Sequence, residues 1–219
     1  MSAALETQLR HGAQQLGLAL DDTQIGQLMT FLDLLQKWNK VYNLTSVRDP
    51  QEMMTHHLLD SLAAVPPLQR YLAGKGLDAP KLLDVGSGGG LPAVVFAICV
   101  PQLDVSCVDT VGKKVAFVQQ VAVSMRLRNL RGIQSRVEQL TQQYDIVSCR
   151  AFAALQDFTA WSAQTLKADG IWLAMKAKKP EDELVLLPAS VEVLNIEPLQ
   201  VPDLDAERCI VWMQHAKAA

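Results

Sequence analysis

A glycine-rich turn directly after a short apolar strand constrains this chain more than any other feature of its sequence. Residues 81–90 read Lys-Leu-Leu-Asp-Val-Gly-Ser-Gly-Gly-Gly, and an apolar helical stretch follows them. Glycines at such a junction permit a tight turn and let a ligand approach the backbone closely. The dinucleotide fingerprint G-x-G-x-x-G would need a third glycine at the position of Leu91. The pattern is instead D-x-G-x-G-x-G, which predicts a ligand site at a sheet edge without favouring a dinucleotide.

From residue 81 onward, short apolar runs alternate with amphipathic stretches. Candidate strands lie at residues 81–86, 104–109, 144–149, 170–175, 191–196 and 209–213. Candidate helices lie at residues 91–100 and 113–127, and a third follows the 144–149 strand to about residue 165. This alternation predicts an α/β fold whose parallel sheet is covered by helices on both faces. No clear helix separates the last two strands, so we expect them to form a hairpin at one edge of the sheet.

The first third of the chain predicts a helical extension, or cap. Helices are expected over residues 3–16, 21–38 and 50–64. Asp21 and Gln24 form a capping-box-like start for the second helix, and Gly17 is expected to stop the first. Pro66 and Pro67 are expected to close the third. We therefore predict a helical extension over residues 1–78 and an α/β core over residues 79–219.

Two acidic residues at strand ends indicate the kind of ligand that this edge binds. Asp84 lies inside the strand before the glycines, where an acid suits a cationic ligand better than a pyrophosphate. S-adenosylmethionine carries an ammonium and a sulfonium but no phosphate, so it fits Asp84. Asp109 ends the next strand, where a carboxylate accepts the ribose hydroxyls of an adenosine. The sequence therefore predicts S-adenosylmethionine as the cofactor.

Charge is distributed unevenly along the chain, although the formal net charge is only −3. Residues 110–180 hold 11 Lys and Arg against 4 Asp and Glu, whereas the rest of the chain holds 9 against 19. A basic surface built from the middle of the chain would suit a polyanionic partner. An ordinary solvated surface is the alternative explanation.

Cysteine usage and hydropathy indicate a reducing compartment away from membranes. The four cysteines lie far apart inside apolar segments and form no CxxC pair, which predicts buried, reduced thiols and no metal site. No apolar run reaches the roughly 18 residues of a membrane-spanning helix. Residues 1–12 lack the apolar region of a secretory signal. We therefore expect a cytoplasmic protein that does not bind membranes.

The linked motifs of the chain resemble those of a known enzyme family. In order they read WNKVYNLT, HLLDSL, DVGSGGGLP, VDTVGKKVAFVQ, SRVEQL and YDIVSCRAFA. Over about residues 20–180 the chain is similar to class I methyltransferases. More closely, it resembles the bacterial 16S ribosomal RNA guanine-N(7)-methyltransferases, also called the glucose-inhibited division protein B family. The chain departs from that pattern at Ala93, where members usually have Gly, and at His56, where they usually have Arg.

The resemblance implies a fold and a reaction. The implied fold is Rossmann-like, with a mostly parallel seven-stranded sheet, helices on both faces and an N-terminal helical extension. The implied reaction transfers a methyl group from S-adenosylmethionine to N-7 of a guanine in the 16S RNA of the small ribosomal subunit. The product is 7-methylguanosine, and the enzyme is expected to be a monomer.

The resemblance also implies roles for particular residues. The candidate cofactor-binding residues, which include the two strand-end acids, are Asp84, Gly86, Ser87, Gly88, Gly90, Leu91, Asp109, Val137, Glu138 and Arg150. The candidate substrate-binding residues are Asn43, His57, Arg136, Phe152 and Lys176. Phe152 would stack on a flipped base or, equally, pack into the core.

The chemistry of the acceptor decides which catalytic groups are needed. Guanine N-7 has a free lone pair and loses no proton, so we expect the catalytic residues Arg150 and Arg136 to orient the acceptor, with no general base. Arg150 would hold the methionine carboxylate, the guanine edge or an RNA phosphate. Its structural alternative is a stabilising pair with Asp145 or Glu138.

Two other groups were candidates for catalysis. Cys149 lies at a strand end, but it lacks the Pro-Cys or Thr-Cys context of cysteine-dependent RNA methyltransferases, which favours a buried structural thiol. His57 and Asp60 share one predicted helix face, and we expect them to order the cap rather than to move protons.

Three alternative functions follow from the sequence alone. A methyltransferase for a small metabolite would use the cap as a lid, but the basic segment argues against it. An RNA-binding protein without catalysis would not need the glycine loop with Asp84 and Asp109. A nicotinamide-dependent oxidoreductase is disfavoured by Leu91.

Overall fold

Seven strands form a single sheet in a computed structural model that describes residues 3–217. The outer bounds of the two predicted units, residues 1 and 219, lie outside the described residues. In chain order the strands are β1 (Lys81–Val85), β2 (Asp104–Asp109), β3 (Leu130–Gln134), β4 (Tyr144–Arg150), β5 (Leu166–Lys176), β6 (Val191–Leu199) and β7 (Arg208–His215).

The described helices precede the sheet and alternate with its strands. They are α1 (Ala3–Gln15), α2 (Asp22–Tyr42), α3 (Pro50–Met53), α4 (Asp60–Ala63), α5 (Val65–Lys75), α6 (Ala93–Cys99), α7 (Gly112–Ser124), α8 (Leu155–Ser162) and α9 (Glu181–Leu184). A π-helical turn, Met54–Leu59, joins α3 to α4, and short 3-10 turns cover Val137–Gln139 and Ala163–Thr165.

The strand order is β3-β2-β1-β4-β5-β7-β6. Strands β1 to β5 pair in parallel, whereas β7 runs antiparallel to both β5 and β6. The predicted mostly parallel sheet and its edge hairpin are therefore confirmed. Because the parallel strands end at one edge, the glycine loop after β1 lies near the ends of β2 and β4, where open α/β sheets bind ligands.

Local signals fix the first two helices as predicted. The Gln24 amide donates to Asp21 Oδ1 at 2.8 Å and the Asp21 amide donates to Gln24 Oε1 at 3.1 Å, which completes the capping box. Helix α1 ends before Gly17, which adopts a φ of 70°. The role of Pro66 and Pro67 was predicted wrongly, because they stand in the first turn of α5 instead of ending the cap. Proline fits a first helical turn because the amide that it lacks would have no partner there.

Apolar side chains form two clusters on opposite faces of the sheet. Leu82 belongs to a cluster with Phe31 of α2 and Phe96 of α6, whereas its neighbour Leu83 belongs to one with Phe158 of α8. Successive strand residues point to opposite faces, so β1 contributes to both clusters. The N-terminal helices thus share their core with one face of the sheet. The division of the chain at residue 78 stays a prediction.

Two further sequence-based expectations concern the whole chain. The cysteines Cys99, Cys107, Cys149 and Cys209 are buried and unpaired, as predicted. Within residues 3–217, no helix combines the length and the apolar character needed to cross a membrane.

Candidate active site

The glycine loop after β1 adopts a backbone geometry that glycine accommodates readily. Gly86, Gly88 and Gly90 have φ angles of 68°, 55° and 78°, in the left-handed region. A Cβ on Gly86 would lie 2.2 Å from Cδ2 of Phe152, and a Cβ on Gly90 would lie 2.7 Å from Cγ2 of Val94. Conformation and space therefore both require glycine at positions 86 and 90.

Asp109 ends β2 and fastens the glycine loop to it. Its Oδ2 accepts a hydrogen bond from the Gly88 amide at 3.1 Å, and its Oδ1 accepts one from the Val111 amide at 2.9 Å. The Lys114 ammonium lies 3.5 Å from Oδ2. Because a carboxylate oxygen accepts more than one hydrogen bond, Asp109 keeps acceptor capacity for a ligand in the cavity beside it.

Asp84 is fully buried within β1 and has a different environment. The Ser148 hydroxyl donates to Oδ1 at 2.7 Å, but no described residue donates to Oδ2. Burial raises the pKa of Asp84 to about 8, against the opposing effect of the Ser148 hydrogen bond. Its sequence-based assignment to the cofactor stays a prediction, since Asp84 lies behind the surface of the cavities described next.

Two cavities meet at Gly86 and share Lys114 and Ala151. The sheet-edge cavity, of about 450 Å³, is lined by residues that include Asp109, Arg136, Val137, Glu138, Phe152 and Trp161. The cap-side cavity, of about 560 Å³, is lined by residues that include Gly88, Leu91, His57, Arg150, Lys176 and Arg208. Together they form a continuous candidate site over the glycine loop.

The predicted site residues divide between these cavities. Gly86 lines both, and Ser87 joins the cap-side group. Arg136 lines the sheet-edge cavity, so it stands apart from Arg150, the other predicted orienting residue. Gly90 and Asn43 line neither cavity: Gly90 is buried in the loop, and Asn43 caps α2, where its Oδ1 accepts from Arg48 Nη2 at 3.4 Å.

Arg150 extends from the end of β4 to the cap. Its Nη1 donates to Asp60 Oδ2 at 2.8 Å and to the His56 carbonyl at 3.0 Å. The expected structural alternative named the wrong partners, because Asp145 accepts from Lys167 Nζ at 2.7 Å and from the Lys81 amide at 2.8 Å. Arg150 therefore joins the sheet to the cap at the wall of the cap-side cavity.

His57 is held by the turn that follows α2. Its Nε2 lies 2.8 Å from Thr45 Oγ1, and the buried Asn39 side chain hydrogen-bonds the Thr45 amide at 2.9 Å. Burial, and next the charge of Arg150, lower the pKa of His57 to about 4. The side chain is therefore neutral at pH 7. The Asp60 carboxylate is bound by arginines rather than by His57, which favours the expected ordering of the cap over a His–Asp proton relay.

Lys176 ends β5 in the wall of the cap-side cavity, and its charge is already paired. Its Nζ lies 2.7 and 3.0 Å from the two carboxylate oxygens of Glu183 and 3.1 Å from the Ala153 carbonyl. Glu183 Oε2 also accepts from the Leu155 amide at 2.6 Å, at the start of α8. Lys176 therefore anchors the loop after β4 as well as lining the cavity.

Phe152 follows Ala151, whose φ is 51°, on the loop after β4. Its ring packs edge-to-face against Trp161 and Phe158, at centroid distances of 5.9 and 6.5 Å. Phe152 and Trp161 are 36% and 41% exposed and line the sheet-edge cavity. Trp161 was not among the predicted site residues, so this aromatic wall was missed.

Other wall residues were also missed, although one carried a usable signal. Lys114 follows Asp109 closely in sequence, at the start of the helix after β2, and this position places it near the sheet edge. Arg208 begins β7 and gave no such signal, because only the antiparallel pairing of β7 with β5 brings it beside the cap. The turn residues Thr45 and Ser46 also line the cap-side cavity.

Nucleophilic and metal-dependent chemistry find little support in the described residues. Cys149 is 2% exposed, and burial raises the pKa of its thiol far above the usual range. Within residues 3–217, no group of three or more His, Cys, Asp or Glu side chains is arranged to hold a metal ion.

Comparison with known sequences gives long, high-identity matches. The family model described as rRNA small subunit methyltransferase G matches residues 24–211. A ribosomal RNA small subunit methyltransferase G from Paracidovorax citrulli (strain AAC00-1) is 64% identical over 225 residues, which cover 99% of this chain and 92% of that relative. One from Acidovorax sp. (strain JS42) is 63% identical over 218 residues, covering 97% and 96%.

Comparison with solved structures supports the fold alone, because identities are low. N-methyltransferase NodS from Bradyrhizobium japonicum WM9 has a TM-score of 0.59 at 10% identity, covering 83% of this chain and 100% of that one. A SAM dependent methyltransferase from Aquifex aeolicus has a TM-score of 0.55 at 16% identity, covering 83% and 98%. The Rossmann-like methyltransferase fold implied by the sequence motifs is therefore confirmed.

Proposed function

The chain belongs to the rRNA small subunit methyltransferase G family, and on that basis we propose that it transfers a methyl group from S-adenosylmethionine to N-7 of a guanine in small-subunit ribosomal RNA. One observation carries the proposal. Two cavities meet at a glycine loop, one with an acidic and aromatic wall suited to adenosine and one with a cationic wall suited to RNA.

S-adenosylmethionine fits the residues that line this site. The atom nearest to a Cβ at Gly88 would be the Gly86 carbonyl oxygen, 3.9 Å away, so the loop is open to a ligand there. We assign Asp109 to the ribose hydroxyls, because its carboxylate lies on the sheet-edge cavity with acceptor capacity to spare. The adenine would lie between Val137 and the aromatic wall of Phe152 and Trp161.

The bound cofactor supplies an electrophilic methyl group next to the acceptor. Guanine N-7 loses no proton, so this chain needs to orient the base and does not need a general base. Orientation of reactants accounts for up to about 7–11 kcal/mol of a barrier. Arg150, fixed by Asp60, is placed to donate hydrogen bonds to the guanine edge. The neutral His57 adds no positive charge beside a sulfonium.

The basic segment supplies the proposed RNA surface. Arg131 pairs with Asp104, and Lys179 lies 3.2 Å from Glu181. The exposed Arg136 and Lys178 follow β3 and β5, at the same edge of the sheet as the site. Neither makes an ion pair with any residue in the described part of the chain, so their full charge is available to phosphates.

The test offers radiolabelled S-adenosylmethionine with deproteinised 16S RNA, free small subunits and intact ribosomes. We expect label in RNA from at least one of them, and strand scission by borohydride and aniline at the labelled nucleotide, which is specific for N-7-methylated guanine. Label that is transferred only to small molecules, or no transfer despite tight cofactor binding, would contradict the proposed function.

We propose that the protein acts in the cytoplasm, where its RNA substrate is assembled into subunits, and that it acts as a monomer. Sedimentation equilibrium of the protein with and without S-adenosylmethionine tests the second point, which a dimer at working concentration would contradict.

A further inference from the structure

We infer that Asp60 is a positioning residue for methyl transfer, which holds Arg150 and Arg208 as a fixed guanidinium pair facing the cap-side cavity. The inference rests on the proposed function and adds to it a residue that never needs to touch the RNA. Asp60 acts through the arginines that it holds.

The two carboxylate oxygens of Asp60 bind arginines from two different chain segments. Asp60 Oδ2 accepts from Arg150 Nη1 at 2.8 Å, and Oδ1 accepts from Arg208 Nε at 2.7 Å. Asp60 is 3% exposed and begins α4 in the cap, whereas the two arginines come from the end of β4 and the start of β7. A single buried group thus sets the relative position of two cations from separate strands.

Backbone carbonyls complete the hold on each guanidinium. Arg150 Nη1 also donates to the His56 carbonyl at 3.0 Å, and Arg208 Nη1 donates to the Glu207 carbonyl at 2.7 Å. His56 lies in the π-helical turn that immediately precedes Asp60, and such turns are frequent at functional sites. The wide turn presents a carbonyl and a carboxylate to the same arginine.

Unused donors of the pair remain for a ligand. Among the described residues, none accepts a hydrogen bond from Nη2 of Arg150 or Nη2 of Arg208. Both side chains are about one-fifth exposed and line the cap-side cavity. Two cations and one carboxylate leave a net positive charge there, which matches an acceptor-only group such as the O-6 edge of guanine.

Asp60 also removes the repulsion that would otherwise separate the two guanidinium groups. Like charges held close together in a partly buried site repel strongly, and without the carboxylate the two side chains would take other rotamers. We therefore expect loss of the Asp60 charge to disorder the pair and to lower the rate at which a bound guanine is methylated. Cofactor affinity, which depends mainly on the glycine loop and Asp109, should change little.

The experiment compares Asp60→Asn with the matched control Asp145→Asn. Asp145 is a second buried carboxylate that binds one basic side chain, but it lies at the start of β4, away from both cavities. For Asp60→Asn we expect kcat on the RNA substrate to fall at least 100-fold, with the Kd for S-adenosylmethionine within threefold of the parent value. For Asp145→Asn we expect a loss of Tm comparable to that of Asp60→Asn. Its kcat per folded molecule should nevertheless stay within threefold of the parent value.

A double-mutant cycle shows whether Asp60 acts through Arg150. In the Arg150→Ala background, adding Asp60→Asn should cost far less than its 100-fold effect alone, because the group that it positions is gone. The inference is overturned if the two losses multiply, if Asp60→Asn keeps kcat within threefold, or if only KM changes.

A second variant covers the case in which Asp60→Asn does not fold. Asp60→Glu keeps the charge but moves it by one methylene, and it should lower kcat at least tenfold while cofactor binding persists. An unchanged kcat in that variant overturns the inference. Failure of the parent protein to methylate any RNA would instead contradict the proposed function, so the two failures are distinguishable.

Discussion

Asp84 and Asp109 are carboxyl groups on neighbouring strands of one sheet, and their surroundings give them opposite properties. Asp109 accepts two backbone amide hydrogen bonds and faces a cavity. Asp84 has one hydroxyl donor and no access to either cavity, and its pKa is raised to about 8. At neutral pH, Asp109 is therefore suited to accept hydrogen bonds from a ligand, whereas Asp84 is mostly protonated in the ligand-free protein.

Substitution of Asp109 should weaken cofactor binding. Loss of hydrogen bonds to a charged group costs about 1.5–3 kcal/mol, so Asp109→Ala should raise the Kd for S-adenosylmethionine about 10- to 150-fold. Isothermal calorimetry measures this change, and Asp157→Ala on α8 serves as the control. An unchanged Kd for Asp109→Ala would place the ribose elsewhere.

Titration of Asp84 should make the protein less stable as the pH rises from about 6.5 to 8. The folded pKa of about 8 lies above the ordinary value of 3.8, so in this range the folded state binds more protons than the unfolded state. The free energy of unfolding should fall by up to about 1.4 kcal/mol for each pH unit. The pKa of His57 is lowered to about 4, so below pH 6.5 its titration makes the free energy of unfolding rise with pH. The effect of Asp84 is therefore measured above pH 6.5.

Urea unfolding at pH 6.5 and pH 8 tests this dependence in the cofactor-free protein. Asp84→Asn removes the titrating group while keeping its shape, so its free energy of unfolding should vary less between the two pH values. Equal pH dependence in the parent and the variant would show that Asp84 does not titrate in this range.

At the scale of elements, sequence patterns predicted those parts whose signals are local. The apolar runs of β1 and β2, the capping box of α2 and the glycine stop after α1 depend on neighbouring residues, and each was found. Strand β3 was not assigned, because at the sheet edge it carries only one buried residue, Leu130, and no apolar run. Helix α5 was missed because its first turn contains two prolines, a pattern that also predicts the end of a preceding helix.

The candidate site was predicted unevenly for the same reason. The glycine loop and Asp109 are next to each other in the βαβ pattern, so their proximity follows from sequence. The partner of Arg150 could not be predicted, because Asp60 reaches it through the packing of the cap on the sheet. Arg208 depends on the antiparallel return of β7, which no local pattern specifies.

The glycine loop itself should tolerate no side chain at its first position. In Gly86→Ala the new Cβ would meet the Phe152 ring at 2.2 Å, in a backbone conformation that disfavours alanine by about 1–2 kcal/mol. We expect loss of cofactor binding by at least tenfold, with partial recovery in Gly86→Ala/Phe152→Ala. Gly89→Ala is the control, because its Cβ would meet only the flexible Leu35 side chain, at 3.0 Å. Equal binding by the Gly86 and Gly89 variants would contradict this account of the loop.

For the whole molecule, the uneven distribution of charge matters more than the net charge of −3. Arg136 and Lys178 follow β3 and β5, so both lie at the edge of the sheet that holds the candidate site, and both are exposed. Other cations are already neutralised by carboxylates, as Lys37 is by Asp33 on α2. An acidic protein can therefore present a positive surface to RNA.

RNA binding should accordingly weaken as salt increases. Each phosphate contact adds about 0.7–0.9 to the slope of log K against log salt. Changing Arg136 and Lys178 together to Gln should lower that slope by up to about 1.4–1.8, measured by filter binding across salt concentrations. The control changes Arg10 and Lys37, which already have carboxylate partners, to Gln. If the Arg136/Lys178 variant and the control have the same slope, the RNA surface lies elsewhere.

The position of Arg208 on β7 also sets an order of events during synthesis. Translation runs from the amino to the carboxyl end, and proteins begin to fold in that direction as they emerge. The cap helices, the glycine loop, Asp109 and Arg150 are all made before the β6–β7 hairpin. The growing chain thus contains the glycine loop, Asp109 and Arg150 before it contains Arg208. On the proposed assignment of the site, the chain therefore holds a cofactor site before its acceptor side is complete, while it is still attached to the ribosome that makes it.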